Sequence, residues 1–242
     1  MKVHLVHTND LHDRFPLKLL ESLTKKETLL LDSGDAIGGS NLVYRFREPI
    51  LEKMNQIGYR AMAMGNREFH YSRKVLSKRL AAAQFPILSA NVVDLRNQRS
   101  IIPWILMNLA EIKLGILGLT VPQYPEGSPW EKITGWRFLN PIEAVKEAAS
   151  QLRQAGAEFI LCLSHLGFPF DKKMAKEAKV IDVILGGHSH TILSKAYWQD
   201  QTAILQTGAY GHFIGSWELE IEAFEGKVKG WKLDGALIQN HD

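Results

Sequence analysis

Alternation between short apolar runs and amphipathic segments is the feature that most constrains the fold of this chain. Several runs are almost entirely apolar, which is typical of strands covered on both faces. The predicted strands are residues 3–7, 28–32, 61–64, 86–89, 112–119, 159–164 and 181–185. The predicted helices are residues 17–25, 47–57, 72–83, 141–155 and 171–178. This order of elements predicts an α/β fold.

The C-terminal part, from residue 202 onward, has the hydrophobic periodicity of strands and contains no predicted helix. Residues 202–206, 216–223 and 227–233 are predicted strands, and a short turn at Glu225-Gly226 joins the last two. Trp217, Leu219 and Ile221 alternate with glutamates, which indicates one buried and one wet face. We find no internal repeat or linker in the 242 residues, so residues 1–242 are interpreted as one domain.

Charge and composition exclude several classes of protein. The net charge is only +3 and the basic residues are scattered, so a nucleic-acid partner is not expected. Cys162 is the one cysteine and lies in an apolar run, which indicates a buried core thiol rather than a nucleophile. Neither a signal peptide nor a run of about 18 apolar residues is present, so we expect a cytoplasmic protein without a membrane partner. The oligomeric state stays open.

Polar side chains follow the predicted strands where each strand ends. Asp10 and His12 follow the first strand, and in an extended segment they would point to the same side. The same spacing recurs in His188 and His190. The set of candidate ligands is Asp10, His12, Asp35, Asn66, His165, His188 and His190. Because α/β proteins place their sites at the carboxyl edge of the sheet, we expect these side chains to meet.

The chemistry of this set predicts a metal centre. Any one of the histidines could be a satisfied core residue, but their recurrence after successive strands indicates a shared site. Mixed oxygen and nitrogen ligands without cysteine suit Mn²⁺ first, with Fe, Zn²⁺, Co or Ni as alternatives. One tetrahedral ion cannot use seven side chains, whereas two ions about 3.5–4 Å apart can, and that arrangement hydrolyses phosphate esters.

These motifs resemble those of the calcineurin-like metallophosphoesterases, and more closely the 5′-nucleotidase and UDP-sugar hydrolase branch. The resemblance extends over residues 3–221, and within it the opening motif and residues 207–211 are typical of the nucleotidase branch. It implies a four-layered α/β/β/α sandwich with two mixed sheets. The matching motifs are His7-Thr-Asn-Asp10-Leu-His12, Gly34-Asp35, Gly65-Asn66, Ser164-His165 and Gly187-His188-Ser-His190.

The resemblance also implies how the ligands are shared between two divalent ions. One ion would be held by Asp10, His12, Asp35 and His190. The other would be held by Asp35, which bridges, together with Asn66, His165 and His188. A water or hydroxide bridging the two ions would attack phosphorus in line with the leaving oxygen.

The first departure from the family pattern is at Arg67 and His70. Nucleotidases of this family usually carry His after the Asn and Asp three residues later, and that His protonates the leaving group. Arginine stays charged and cannot be the acid, but its paired donors can bind a phosphoryl group. Our hypothesis is that Arg67 binds the phosphoryl group beside Asn66 and that His70, or a water, assists departure. The alternative is that His70 is only a helix-start residue.

The second departure is length. Full nucleotidases add a C-terminal domain whose aromatic residues stack on the base, and we expect no such nucleotide-specificity domain here. Specificity would then come from the loops at residues 44–46, 124–130 and 209–213. The predicted function is metal-dependent hydrolysis of phosphate mono- or diesters such as nucleotides, cyclic nucleotides or related small phosphates. The alternative is a non-catalytic domain that keeps its metals and binds a phosphorylated ligand, since Arg67 replaces the usual acid.

Overall fold

A computed structural model of the chain describes residues 1–25, 27–96, 101–109 and 112–241. Its helices are α1 (Leu17–Leu23), α2 (Pro49–Ile57), α3 (Arg73–Ala82), α4 (Pro129–Thr134), α5 (Pro141–Gln154) and α6 (Phe168–Ala178). Its strands are β1 (Lys2–Thr8), β2 (Leu29–Asp32), β3 (Ala61–Ala63), β4 (Ile87–Leu88), β5 (Val92–Asp94), β6 (Trp104–Leu109), β7 (Ile112–Thr120), β8 (Trp136–Phe138), β9 (Phe159–His165), β10 (Val183–Gly186), β11 (Tyr197–Gln199), β12 (Thr202–Leu205), β13 (Phe213–Phe224) and β14 (Lys227–Gln239).

Two six-stranded mixed sheets form the centre of the molecule. The first has the order β14-β13-β1-β2-β3-β4, in which β1 to β4 are parallel and β13 is antiparallel to β1. The second has the order β11-β12-β10-β9-β7-β6, with β7, β9, β10 and β12 parallel. A small sheet of β5 and β8 lies beside them. Because parallel strands run in one direction, their carboxyl ends meet at one edge of each sheet.

Three apolar layers hold the two sheets and the helices together. Met54 of α2 and Leu76 of α3 pack with Leu30 and Met62 on one side of the first sheet. The other faces of the sheets pack together, with Leu31, Leu161 and Trp217 among the buried residues. Leu152 of α5, Met174 of α6 and Cys162 fill the third layer. The predicted four-layered α/β/β/α sandwich is confirmed, and Cys162 is a fully buried core thiol.

Several boundaries differ from those that the sequence predicted. Helix α6 begins at Phe168 and not at residue 171, because Gly167 takes a left-handed φ of 92° and Pro169 fits the first turn. Strand β6 was missed, because it is an edge strand and its side chains are mostly half-buried. The hairpin of β13 and β14 is longer than predicted. No helix among the described residues is both long and apolar enough to cross a membrane.

Candidate metal centre

The seven candidate ligands lie at the carboxyl ends of strands from both sheets. Strands β1, β2 and β3 are neighbours in the first sheet, and β9 and β10 are neighbours in the second. Since the sheets are stacked, the ends of these strands meet at one edge of the sandwich, and Asp35 lies 3.4 Å from His165 across the two sheets. The sequence predicted the edge of a single sheet, whereas the site is shared between two sheets.

The backbone at the ligands is not extended. Asp10, His12, Asp35, His188 and His190 all have a positive φ, between 48° and 70°. The prediction that Asp10 and His12 emerge on one side of an extended strand was therefore wrong in its reasoning, because β1 ends at Thr8 and a left-handed loop places both side chains. Left-handed backbone is costly for residues other than glycine and concentrates at functional sites.

The ligands form two adjoining groups. In the first, Asp10 Oδ1 lies 3.3 Å from His190 Nε2 and 3.8 Å from His12 Nε2. In the second, His165 Nε2 lies 3.4 Å from Asp35 Oδ1 and 4.0 Å from Asp10 Oδ1. In each group the ligand atoms lie within 4.8 Å of one another, which is compact enough to hold an ion.

Asn66 and His188 join the second group. The Oδ1 atom of Asn66 lies 3.1 Å from Nδ1 of His188, and the rings of His188 and His165 are 5.1 Å apart. All seven predicted ligands are thus brought to one place. The two compact groups share Asp10, whereas the family resemblance implied that Asp35 is the shared ligand.

Several ligand atoms are buried without any hydrogen-bond partner in the protein. Asp10 Oδ1 and His165 Nε2 are such atoms within the two groups, and the other ring nitrogen of His12, Nδ1, is unpartnered as well. A buried polar atom left unpaired costs free energy, so such atoms need an explanation. Oxygen and imidazole atoms that converge without protein partners fit divalent cations, which would supply the missing contacts.

Asn9 positions Asp10, a role that the sequence alone does not indicate. Its Nδ2 donates to Asp10 Oδ2 at 2.7 Å and to the carbonyl of Gly208, while its Oδ1 accepts from the backbone N–H and hydroxyl of Thr207. The backbone N–H of His188 also donates to Asp10 Oδ2 at 2.8 Å. Asn9 therefore explains why the opening motif and residues 207–211 occur together: they are bonded to one another.

Two buried carboxyl groups, which were not among the predicted site residues, hold the turns that carry Asp35. Glu68 accepts from the N–H groups of Asp35 and Gly65, and burial together with the charge of Asp35 raises its pKa to about 7. Asp32 accepts from Thr8 and from the N–H of Gly34, and burial raises its pKa. Their positions next to ligands were the available signal, but burial was needed to show their role.

The carboxylates and burial of the site shift the pKa values of its histidines in opposite directions. Burial opposes protonation of His165, but the carboxylates of Asp35 and Asp10 outweigh it and raise its pKa to about 10. Its Nδ1 lies 2.7 Å from the carbonyl oxygen of Ser33, which fixes the proton on Nδ1 and leaves Nε2 facing the carboxylates. Burial lowers the pKa of His12 to about 4. The carboxylates that hold a proton on His165 would also attract a divalent cation, and binding of that cation would release the proton.

Arg67 lies beside the ligands, and His70 is turned toward the start of α3. Arg67 donates its backbone N–H to Asp35 Oδ1 at 2.7 Å and its Nη1 to the carbonyl of Gly39 at 3.2 Å, and its side chain is 34% exposed. His70 Nδ1 accepts from the N–H of Ser72 at 2.9 Å. Burial and the nearby charge of Arg79 lower the pKa of His70. Among the described residues, none of the seven candidate metal ligands is hydrogen-bonded to His70.

Tyr210 lies next to the candidate ligands, whereas His4 lies away from them. The ring of Tyr210 lies 5.1 Å from that of His12 and 5.6 Å from that of His190, so this loop borders the ligands. His4 lies within hydrogen-bond distance of Thr28 and Ser216 toward the opposite end of β1 and has a structural role.

Comparison with protein families decides the classification. Residues 3–191 match the family model of the calcineurin-like phosphoesterases. The chain belongs to this family. The protein also shares the mixed α/β architecture of a solved 5′-nucleotidase precursor from Thermus thermophilus. Over 99% of its length it superposes on that structure with a TM-score of 0.81 and 27% identity, covering 55% of that chain.

Curated relatives include proteins named 5′-nucleotidases. A snake venom 5′-nucleotidase of Gloydius brevicauda is 35% identical over 173 residues, which are 68% of this chain and 29% of the relative. An uncharacterized metallophosphoesterase of Bacillus subtilis, YunD, is 28% identical over 99% of this chain and 54% of the relative. The chain thus spans about half the length, or less, of these relatives. Its family implies divalent metal ions, and the unpartnered ligand atoms fit them.

Proposed function

We propose that this protein hydrolyses mono- or diesters of phosphate, with nucleotides, cyclic nucleotides or related small phosphates as substrates, at a centre of two divalent ions. The observation that carries the proposal is the meeting of seven ligand-type side chains, five of them on left-handed backbone, with ligand atoms buried and unpartnered. The names of the relatives support a nucleotide-like substrate.

In this proposal the two groups of side chains hold one ion each. Asp10, His12 and His190 hold the first, Asn66, His165 and His188 hold the second, and Asp35 lies between them. When bound, the ions supply Lewis acidity toward the phosphoryl oxygens and lower the pKa of a water. Asn9, Ser33 and Glu68 keep the ligands oriented through the hydrogen bonds described above.

Arg67 and Asn66 bind the phosphoryl group in this proposal. The guanidinium of Arg67 lies 3.8 Å from Asp35 Oδ2 and is partly exposed, so its remaining donors are open to a substrate oxygen. A guanidinium offers two parallel donors to phosphate and stabilises the charge that develops during transfer. Departure of the leaving group is assisted by a water in this proposal. Proton donation by His70 is the alternative, but Nδ1 of His70 already accepts from the N–H of Ser72.

Hydrolysis assays on metal-stripped protein test the proposal. The substrates are bis-p-nitrophenyl phosphate and p-nitrophenyl phosphate, and Mn²⁺, Fe²⁺, Zn²⁺, Co²⁺ or Ni²⁺ is added back one at a time. We expect turnover that depends on the metal, is highest with Mn²⁺ and is abolished by Asp35→Asn. The ratio of diester to monoester rates then assigns the substrate class.

The alternative function has a different outcome in the same experiment. Bound metal without turnover on either ester, for any of the five ions, would contradict the proposed enzyme. It would instead support a domain that keeps its metals and binds a phosphorylated ligand through Arg67.

A further inference from the structure

Arg79, on α3, is a buried arginine outside the ligand cluster. It is only 3% exposed, and its guanidinium donates to a set of backbone carbonyls. Its Nη1 donates to Arg67 at 2.7 Å, to Ser40 at 2.9 Å and to Phe69 at 3.1 Å, with a longer contact to Glu68. Its Nη2 donates to Val43 at 2.8 Å. A buried charge is tolerated only when it is hydrogen-bonded in this way.

These carbonyls belong to two segments that border the site. One is the loop of residues 39–43, and the other is the turn of residues 67–69. Arg67, in the turn, bonds to the loop because its Nη1 donates to the carbonyl of Gly39. Its backbone N–H also donates to the metal-ligand candidate Asp35. Arg79 therefore bonds to both segments that fix the backbone and side chain of Arg67.

Glu48 supplies the opposite charge. Its Oε1 lies 3.8 Å from Arg79 Nη2, and both side chains are buried beneath Gly39. A Cβ atom at Gly39 would overlap both Arg79 Nη2 and Glu48 Oε1. The ion pair and Gly39 thus form a close-packed unit in which the loop backbone lies directly on the guanidinium. This unit contributes no atom to the ligand cluster.

We propose that Arg79 is a positioning residue that holds residues 39–43 and 67–69 in one arrangement and thereby aims Arg67 at the bound phosphoryl group. The inference rests on the proposed role of Arg67 in phosphate binding. Arg79 acts through Arg67 and touches neither the ligands nor the substrate. Lysine is not an equivalent replacement, because its one nitrogen cannot take the places of both Nη1, which donates to residues 40, 67 and 69, and Nη2, which donates to Val43.

A double-mutant cycle with Arg67 separates positioning from general stability. The measured quantity is the inhibition constant of inorganic phosphate in the hydrolysis of bis-p-nitrophenyl phosphate by the Mn²⁺-loaded enzyme. We expect Arg79→Lys to weaken phosphate binding about tenfold, and less than about twofold when Arg67→Met is already present. Arg73→Lys is the matched control, since Arg73 lies on the same helix but donates to Asp94 and Gly135, and it should change the constant less than about twofold.

Hydrogen exchange of the metal-free protein gives a readout that does not depend on catalysis. Arg79→Lys should speed exchange in peptides covering residues 39–43 and 67–69 and leave those of β9 unchanged. If Arg79→Lys does not fold, Gly39→Ala disturbs the same unit while keeping the charge and must give the same pattern.

The outcomes distinguish the two proposals. Unchanged exchange in both segments, or an equal loss of phosphate affinity with and without Arg67, would overturn the role of Arg79. Unchanged phosphate affinity in Arg67→Met alone would overturn the role of Arg67 under the proposed function, and the exchange data would still decide whether Arg79 holds the two segments.

Discussion

The two ends of the β1 strand use their polar residues in opposite ways. At its amino end Lys2 pairs with Glu218 at 2.6 Å, and both ring nitrogens of His4 lie near hydroxyl groups of the protein. At its carboxyl end the backbone turns left-handed, and atoms of Asp10 and His12 are buried without a partner. The ring nitrogens at the amino end have partners in the protein, whereas Asp10 Oδ1 and His12 Nδ1 at the carboxyl end have none, as expected of a cation site.

The largest expected effect comes from exchanging His4, on β1 near its amino end, and His165 of β9, whose Nε2 lies 4.0 Å from Asp10 Oδ1 at the carboxyl end of β1. His165→Gln removes a ligand nitrogen and should lower phosphodiester hydrolysis about a thousandfold or more. His4→Gln keeps a polar side chain between Thr28 and Ser216 and should leave the rate within about twofold of the wild type. Steady-state rates at saturating Mn²⁺ measure both. Comparable losses in the two variants would remove the distinction between the ends.

Metal addition should stabilise the protein through the unpartnered atoms at the carboxyl end. At a free Mn²⁺ concentration about 100-fold above the Kd, linkage predicts about 2.7 kcal/mol of added stability. Thermal unfolding with Mn²⁺ and with a chelator measures the shift in Tm. His4→Gln should show the full shift and His165→Gln a smaller one. A shift that His165→Gln leaves intact would place the ion elsewhere.

A buried carboxyl group behind the ligands should make stability depend on pH. Asp171 accepts from Ser164 at 2.5 Å, and burial raises its pKa to about 7 from the ordinary value of 3.8. The folded state therefore holds a proton that the unfolded state loses, so this contribution is full below pH 3.8 and is lost as the pH rises toward 7.

Asp171→Asn removes this titration. From about pH 5 to about pH 7 the wild type should lose about 1–2 kcal/mol of stability relative to the variant, and denaturant unfolding of the metal-free proteins measures the difference. Asp234→Asn, on the exposed β14, is the control and should track the wild type. A difference that stays constant over this range would contradict the assignment.

The smallest effect is expected at His70. Its Nδ1 accepts from Ser72 and its pKa is lowered, so the ring is neutral at about pH 7 and holds the start of α3. We expect His70→Ala to lose about two- to fivefold equally on alkyl and nitrophenyl phosphates. A larger loss on the alkyl ester, whose leaving group is poorer, would instead support proton donation by His70.

Much of the fold was predictable because its strands are local apolar runs. The periodicity located the parallel strands and most helices within a few residues, and the family resemblance implied the two sheets. Edge strand β6 was not predicted, because its half-buried side chains lack a clear hydrophobic period. The start of α6 was misplaced because the left-handed φ of Gly167 is not visible in the pattern.

The sequence by itself determined which residues supply the candidate ligands, because each follows a strand in a recognisable motif. Only the tertiary structure decided how they meet. Two sheets contribute them, left-handed backbone aims them, and Asn9 and Glu68 hold them through hydrogen bonds. The role of Arg79 was equally hidden, since its carbonyl partners lie up to 39 residues away in the chain. Local patterns encode strand ends, whereas burial and long-range hydrogen bonds exist only after the sheets have packed.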